Sequence, residues 1–249
     1  MRPPLIVGNW KMHKTIREAR EYVGLLRVEL KKTADRQVVL APPFTALGAV
    51  AEALAGTGIE LAAQNVCDRD EGAATGEVSA RMLAEAGCRH VLIGHSERRA
   101  YYGEDDALIN RKLKSALQHG LQPILCIGET LSQREADQTF DVATRQLQEG
   151  LRGVGLSEAT RAVVAYEPIW AIGTGLTASP EQAAAMHVFI RGVVSSIYGE
   201  NFGLKVPVIY GGSVNPANIK ALMAQREING VLVGGASLEA KSFSRIVKF

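Results

Sequence analysis

The sequence predicts an α/β fold, namely a closed (β/α)8 barrel in which helices enclose eight parallel strands. Eight short and nearly continuous apolar runs recur along the chain, as expected of parallel strands that are covered on both faces. Helical patterns separate these runs without a linker, and the 249 residues match the length of one such domain spanning 1–249. A doubly wound open sheet is the alternative, and the lack of a G-x-G-x-x-G motif after the first run disfavours it.

The predicted strands are, in chain order, Leu5–Val7, Val38–Ala41, Ile59–Ala63, His90–Ile93, Pro123–Ile127, Ala162–Ala165, Val206–Ile209 and Val231–Val233. Between them, Thr15–Lys32 and Leu108–Leu117 carry apolar residues at helical spacing. The segment Ser179–Gln182 predicts a helix start, with a capping Ser, a Pro at the first helical position and a Gln that closes a capping box. Asn215-Pro216 repeats the signal of a cap followed by proline.

The composition excludes several classes of protein. A hydrophobic content of 47% and a charged content of 22% are typical of a globular domain, and a net charge of +2 provides no general attraction to nucleic acid or an anionic membrane. The first apolar run is too short for a signal peptide, and no stretch approaches the roughly 18 apolar residues that span a bilayer. The odd number of cysteines, Cys67, Cys88 and Cys126, argues against a disulfide framework. We therefore expect a cytoplasmic protein without nucleic acid or membrane partners.

Residues that can do chemistry follow several predicted strands. Asn9 and Lys11 follow the first strand, His95 follows the fourth and Glu167 follows the sixth. A barrel of this class places its active site beyond the carboxyl ends of its strands, where these ends meet at one mouth. The pattern predicts that these side chains lie together.

Glu167 ends a buried run and is followed at once by a stiff, glycine-tipped segment. Burial and neighbouring charges can raise the pKa of such a carboxylate and make it a useful base. Pro168 fixes one backbone angle, whereas Gly173 and Gly175 permit conformations that other residues resist. The segment predicts a base with a movable cover.

The glycine pairs Gly211-Gly212 and Gly234-Gly235 follow the seventh and eighth strands. Barrels often bind phosphate with these loops, because exposed backbone N–H groups let an anion approach closely. Ordinary turn glycines are the alternative interpretation. Beside such a cradle, Lys11 becomes a cation for the ligand, although a surface charge or the Schiff-base lysine of an aldolase is also compatible with the sequence.

His95 ends a strand and faces the expected start of a short helix at Ser96. A helix N-terminus disfavours the imidazolium, which would keep the ring neutral and able to donate a hydrogen bond; a structural histidine is the alternative. Cys126 also ends a strand, where inert packing is expected. We expect Glu97 and Arg98 to orient the lysine and the loops. No cluster of His, Asp and Glu has the spacing of metal ligands, so no metal is expected.

These groups together suit the removal of a proton next to a carbonyl, with neutral donors that stabilise the resulting enediolate. No nucleophile–base pair indicates hydrolysis, and no nucleotide fingerprint indicates hydride transfer. Two alternatives remain open, a Schiff-base aldolase that uses Lys11 and a non-catalytic module that binds a phosphorylated metabolite.

Five motifs resemble those of the triosephosphate isomerase family, in its order and spacing: Gly8–Met12, Gly94–Arg99, Ala165–Gly175, Tyr210–Val214 and Val233–Leu238. The resemblance implies interconversion of dihydroxyacetone phosphate and D-glyceraldehyde 3-phosphate in glycolysis and gluconeogenesis, without a cofactor. It implies four catalytic residues, with Glu167 as the base, His95 as the neutral electrophile, and Asn9 and Lys11 as partners in stabilising the enediolate.

The resemblance also implies supporting roles. The backbone phosphate ligands would be Gly173, Ser213, Gly234 and Gly235. The lid would be Pro168–Ala178, with an apolar clamp formed by Ile172 and Leu232 that excludes water from the base. Ser96, Glu97 and Pro168 would support the catalytic groups from beside them.

The segment Gln64–Ser79 resembles the family's interface loop, which enters a neighbouring subunit near the catalytic Lys and His. This implies a homodimer in which Thr75 is the tip of that loop and the active site depends on assembly. Four positions depart from the commonest family pattern, namely His13, Ala74, Leu176 and Asn229. None of them belongs to the catalytic set.

Overall fold

Eight parallel strands close into a barrel in which each strand pairs with the next and β8 pairs with β1. The structure is a computed structural model, and it describes residues 3–30, 35–172 and 177–249. The strands are β1 Leu5–Asn9, β2 Gln37–Ala41, β3 Glu60–Ala63, β4 His90–Ile93, β5 Gln122–Ile127, β6 Val163–Tyr166, β7 Val208–Tyr210 and β8 Gly230–Val233. The predicted (β/α)8 barrel is confirmed, and the open-sheet alternative is wrong.

The helices that the structure describes surround this barrel. They are α1 Ile16–Glu29, α2 Leu47–Leu54, α3 Ala80–Glu85, α4 Ser96–Tyr102, α5 Asp106–Gln118, α6 Leu131–Glu135, α7 Thr139–Gly150, α8 Leu156–Ala159, α9 Pro180–Tyr198, α10 Glu200–Gly203, α11 Ile219–Met223 and α12 Ala240–Val247. Short 3-10 turns occupy Phe44–Ala46, Ile169–Ala171 and Gly235–Ser237. The last two of these turns follow strand ends at the mouth.

Predicted and observed boundaries agree where the signal is local. Every predicted strand begins and ends within two residues of an observed strand. The predicted start of α9 is also confirmed, because Ser179 Oγ accepts a hydrogen bond from Gln182 N at 3.2 Å and Gln182 Oε1 accepts one from Ser179 N at 2.9 Å. This capping box satisfies donors that the first helical turn would leave unpaired.

The cap predicted at Asn215-Pro216 is present, although the regular helix α11 begins only at Ile219. The Asn215 side chain accepts hydrogen bonds from the backbone N–H groups of Ala217 and Asn218, at 2.8 and 3.1 Å, and Asn218 Oδ1 accepts one from Asn215 N at 2.9 Å. The Asn215 carbonyl accepts a hydrogen bond from Ile219 N at 3.1 Å, which is the i to i+4 spacing of an α-helix. Asn215 therefore caps a turn that leads directly into α11.

Two apolar layers hold the barrel together. The outer faces of the strands pack against the helices, and the inner faces fill the lumen with a separate apolar cluster. That inner cluster consists of Leu5, Val7, Val39, Ala41, Ala62, Leu92, Ile124, Cys126, Val163, Ala165, Ile209 and Leu232. Because apolar side chains fill the lumen, a cavity lined by polar side chains can form only at one of the two open ends of the barrel.

Candidate active site

A cavity of about 520 Å³ opens at the carboxyl ends of the strands. Nine of the predicted site residues line it: Asn9, Lys11, His95, Glu167, Ile172, Ser213, Leu232, Gly234 and Gly235. The other lining residues are Trp10, His13, Gly211, Gly212, Val214, Asn215, Ala236 and Leu238. Part of the predicted lid, with the ligand Gly173 and the departure at Leu176, lies outside the described residues.

Glu167 follows β6 directly, and its side chain is 2% exposed. Its Oε2 atom accepts a hydrogen bond from the backbone N–H of Ser96 at 2.9 Å. Its Oε1 atom lies 3.2 Å from His95 Nε2, but no donor within the described residues is aligned for a hydrogen bond to it. One carboxylate oxygen is therefore held in place, while the other is available to accept a proton.

His95 is the N-cap of α4, and its Nδ1 atom accepts a hydrogen bond from the backbone N–H of Glu97 at 3.3 Å. A neutral imidazole that accepts at Nδ1 carries its proton on Nε2, so this bond assigns the tautomer. The geometry thus presents Nε2–H as a donor next to the free oxygen of Glu167.

Lys11 occupies the left-handed region of the backbone, with a φ of 52°. Two hydrogen bonds fix this strained residue, one from its N–H to Asn9 Oδ1 at 3.0 Å and one from Gln64 Nε2 to its carbonyl at 2.8 Å. Its Nζ atom pairs with Glu97 Oε1 at 2.6 Å, as expected from the sequence. A Cβ on Gly234 would lie only 3.5 Å from Lys11 Cε, so the ammonium group stands beside the glycine cradle.

The glycines of the mouth leave room in two different ways. A Cβ on Gly211 would lie 2.8 Å from Glu167 Cγ, so a side chain there would displace the carboxylate. Gly235 opens the 3-10 turn that ends at Ser237, and a Cβ added to it would have no neighbouring atom within 4 Å in the described chain. The first glycine therefore makes room for the Glu167 side chain, and the open space at Gly235 leaves its backbone accessible to a ligand in the cavity.

A buried carboxylate that was not among the predicted site residues lies beside the start of the lid. Glu129 is 1% exposed and accepts hydrogen bonds from Trp170 Nε1 at 2.8 Å and from the Tyr166 hydroxyl at 3.1 Å. Arg134 lies 3.3 Å from the same carboxylate and stacks on the Trp170 ring. Glu129 follows β5, so the rule that found the other strand-end residues also applied to it.

Two expectations fare differently around α4. Glu97 contacts Lys11, but Arg98 does not join it, because its guanidinium pairs with Glu104 and stacks on the Tyr102 ring.

Burial raises the pKa of the Cys126 thiol well above its ordinary value, and the nearby Glu167 carboxylate raises it further. A thiol in this state is inert, in agreement with a packing role.

Thr75 is exposed and does not line the cavity of its own chain. Ala74 lies next to it, whereas His13 lines the cavity and Asn229 accepts a hydrogen bond from Arg191. Within residues 3–30, 35–172 and 177–249, no three His, Cys, Asp or Glu side chains are grouped as metal ligands would be. No helix of that same part of the chain is long and apolar enough to cross a membrane.

Comparisons with known proteins agree with this geometry. The sequence model of the family described as triosephosphate isomerase matches residues 4–249. The triosephosphate isomerase of Syntrophotalea carbinolica is 53% identical over 249 residues, which cover 100% of this chain and 99% of that protein. The same enzyme of Chloroflexus aurantiacus is 52% identical, with 100% of both chains covered. The crystal structure of triosephosphate isomerase from Bartonella henselae is similar with a TM-score of 0.88 and 38% identity, over 98% of this chain and 97% of that one.

Proposed function

This chain belongs to the triosephosphate isomerase family, and we propose that Glu167 is the base with which it interconverts dihydroxyacetone phosphate and D-glyceraldehyde 3-phosphate. The reaction is a step of glycolysis and gluconeogenesis. The observation that carries the assignment is the carboxylate of Glu167, which is buried at the cavity with one oxygen held by Ser96 and the other without an aligned donor among the described residues.

Glu167 Oε1 accepts the proton from the carbon next to the substrate carbonyl. The electrons of the broken C–H bond form a carbon–carbon double bond, and the carbonyl oxygen takes up the negative charge. A proton then moves from the neighbouring hydroxyl oxygen to the former carbonyl oxygen, so that the negative charge passes to the other oxygen of the enediolate. As that oxygen becomes the new carbonyl, the same carboxyl group returns its proton to the neighbouring carbon, which completes the exchange between ketose and aldose. No oxidant, reductant or cofactor takes part in this balance.

The developing oxyanion meets three donors at the cavity wall. His95 Nε2–H and the Asn9 amide donate as neutral groups, and Lys11 adds a positive charge held by Glu97. Preorganised donors in a site from which water is excluded stabilise such charge strongly. The family is an established example of a glutamate base paired with a neutral histidine, so these roles rest on the resemblance as well as on geometry.

The phosphate of the substrate binds at the glycine-rich part of the cavity. Ser213, Gly234 and Gly235 line the cavity, and Lys11 lies beside Gly234. Gly173 completes this set on the strength of the family resemblance. The lid Pro168–Ala178 closes over the substrate, and Ile172 and Leu232 then shield the base from water. Ile172 and Leu232 both line the cavity, which supports this shielding role.

The Schiff-base alternative finds no support at Lys11. Its Nζ atom is engaged by Glu97 Oε1 at 2.6 Å, and the residue that follows β6 at the mouth is Glu167 and not a lysine. A non-catalytic binding module would not need a buried carboxylate at this position, and burying its Oε1 atom without a hydrogen-bond donor costs free energy.

We also propose that the active unit is a homodimer in the cytoplasm. Several large apolar side chains on the turn after β1 and on α3 and α4 are exposed, with Met12 91%, Tyr101 79%, Tyr102 66% and Met82 53% accessible. Such a set favours a partner surface. Thr75 would reach the site of the second copy, because it does not line its own. The three cysteines are free and buried, which fits a reducing compartment.

A coupled assay for triose phosphate interconversion, with and without chelator, tests the activity of the purified chain. In the same assay, Glu167→Asp withdraws the carboxylate by one methylene. We expect kcat to fall by about 100-fold with a smaller change in KM, because a displacement of about 1 Å has that effect on a reacting group. A variant with unchanged kcat would remove Glu167 from the role of base.

A further inference from the structure

The turn that carries Lys11 is strained at both of its ends. Lys11 has a φ of 52° and Lys14 has a φ of 75°, both in the left-handed region that residues with a Cβ rarely adopt. Glycine would occupy the second position without strain. A lysine held in this conformation indicates that its side chain contributes an interaction that outweighs the strain.

The side chain of Lys14 packs its charge on two aromatic rings. Its Nζ atom lies 4.8 Å from the centre of the Tyr22 ring and 5.5 Å from the centre of the Trp10 ring. The two rings meet edge to face at 4.7 Å, and we call them the ring pair. Both rings are buried, and an ammonium at these distances makes a cation–π contact.

Each ring of the ring pair is connected to the part of the active site that is proposed to bind phosphate. The indole belongs to the residue immediately before Lys11. The phenol of the other ring donates a hydrogen bond to the carbonyl of Ser237 at 2.7 Å, and Ser237 Oγ donates one to the carbonyl of Gly234 at 2.7 Å. The ring pair therefore supports both the turn with the catalytic ammonium and the glycine cradle.

The turn contacts the ring pair through the side chain of Lys14. Met12 and His13 are exposed, whereas Lys14 is half-buried and shares a surface groove with Glu18 and Glu239. Burial lowers the pKa of Lys14, and the two carboxylates oppose this shift. The next residue begins α1 as its N-cap, so the contact lies between the helix and the active site.

We propose that Lys14 is a positioning residue, whose contact with the ring pair fixes the turn and thereby holds the Lys11 ammonium over the phosphate cradle. This inference rests on the proposed function, in which Lys11 binds the substrate phosphate. It assigns Lys14 no contact with the substrate itself. Loss of the contact loosens the grip on phosphate more than it slows the proton transfer.

Lys14→Met tests the proposal, because it removes the charged end of an unbranched side chain and keeps a Cβ, and therefore the backbone strain, at this position. We expect KM for the triose phosphate and the inhibition constant of inorganic phosphate to rise together by about 3- to 10-fold, the loss expected from one partly desolvated cation–π contact. The value of kcat should change less than either. Lys14→Arg keeps a cation over the rings and should restore both constants.

Lys241→Met is the matched control, since Lys241 lines the same surface groove as Lys14 and is exposed. An equal rise of KM in both variants would assign the effect to general attraction of the anionic substrate and overturn the proposal. Unchanged constants in Lys14→Met, with only a lower melting temperature, would overturn it as well. If Lys14→Met does not fold by circular dichroism, Lys14→Gly, which relieves the strain, replaces it with the same expectation.

Calorimetric titration of the wild type and Lys14→Met with inorganic phosphate separates this proposal from the assignment of the reaction. A wild type that binds phosphate more tightly than the variant supports the positioning role even if it does not turn over triose phosphate. Equal phosphate affinities contradict the positioning role even in an active enzyme.

Discussion

The mouth and the floor of the barrel each contain a buried histidine beside a glutamate. At the mouth, His95 Nε2 lies 3.2 Å from Glu167 Oε1. At the floor, where the amino ends of β3 and β4 meet, His90 Nε2 lies 2.9 Å from Glu60 Oε2. The residue types are the same and the distances differ by 0.3 Å, from 3.2 to 2.9 Å. The two ends nevertheless differ in what the carboxylate can do.

The carboxylate at the floor is saturated with donors. Glu60 accepts hydrogen bonds from Gln37 and Arg89 in addition to the contact with His90, and the bond with His90 is the main reason why its pKa is lowered. Glu167 has one oxygen without an aligned donor in the described chain, and that oxygen faces a cavity. A glutamate beside a histidine can act as a base when one of its oxygens lacks a hydrogen-bond donor and faces an open cavity. The two residue types alone do not provide these features.

The largest expected effect comes from removing the charge of each carboxylate in turn. Glu167→Gln should lower kcat by about 10²- to 10⁴-fold, because it removes the general base. Glu60→Gln should leave kcat within about twofold, since no charge at the floor contributes to the reaction. Steady-state kinetics in the coupled assay measure both. Comparable losses in the two variants would contradict the contrast between the two ends.

The next effect distinguishes the cations at the two ends. Lys11→Ala should lower kcat/KM by at least about 30-fold, the loss typical of removing a charged partner from a desolvated site. Arg89, whose side chain is 70% exposed and lies 3.4 Å from Glu60, is the matched control at the floor. Arg89→Ala should leave kcat/KM unchanged, as expected for an exposed ion pair. Ordinary Michaelis behaviour in Lys11→Ala would remove the lysine from the site.

A third test asks whether the mouth depends on a second chain. If Thr75 completes the site of a partner subunit, dilution to monomers should reduce specific activity. The circular dichroism of the diluted chain should keep its helical signal, because the barrel and its floor close within one chain. Light scattering or analytical ultracentrifugation would establish the monomer. Constant specific activity in verified monomers would show that the mouth is complete without a partner.

A pH titration of stability sharpens the description of the floor. The folded pKa of Glu60 is below its ordinary value of 4.5, so its ionised form stabilises the folded state at neutral pH. This contribution is present above the unfolded pKa and is lost as pH falls through the folded pKa. The melting temperatures of the wild type and Glu60→Gln should therefore differ most above pH 4.5 and converge as the pH falls through the folded pKa, which lies below 4.5. A difference that does not shrink as the pH falls below 4.5 would exclude this titration as its source.

The smallest effect is expected beside β8. Arg191 donates to Asn229 Oδ1 at 2.5 Å, and the backbone N–H of Val208 donates to the same oxygen at 3.0 Å. Asn229→Asp keeps both acceptor contacts and adds a charged partner, so we expect stabilisation by about 0.5–1.5 kcal/mol, without a change in kcat. Thermal melts and the coupled assay measure the two quantities. A lower melting temperature would indicate that the Asn229 amide N–H groups matter more than the added charge.

The predictions agree with the structure where the sequence signal comes from residues that are close together in the chain. The apolar runs and the Ser179 cap depend on neighbours along the chain, so the strands and the start of α9 could be predicted. The cap at Asn215 is also a local signal and is formed, although the regular helix begins only at Ile219. The partner of Arg98 could not be predicted from the sequence. Only the folded chain shows that its guanidinium pairs with Glu104, whereas Glu97 pairs with Lys11.

Patterns along the chain were sufficient to predict the barrel and the strand ends that carry functional groups, and the family resemblance added further residues, so that nine of the predicted site residues line the mouth. Hydrophobic periodicity fixes which segments are buried, and parallel topology then brings the ends of those segments together. Three-dimensional packing was needed to establish which oxygen of Glu167 is free, which nitrogen of His95 carries the proton, and why Glu60 is saturated. These properties depend on distances of about 3 Å between residues far apart in the chain, and a hydrogen bond is made or lost within a fraction of an ångström.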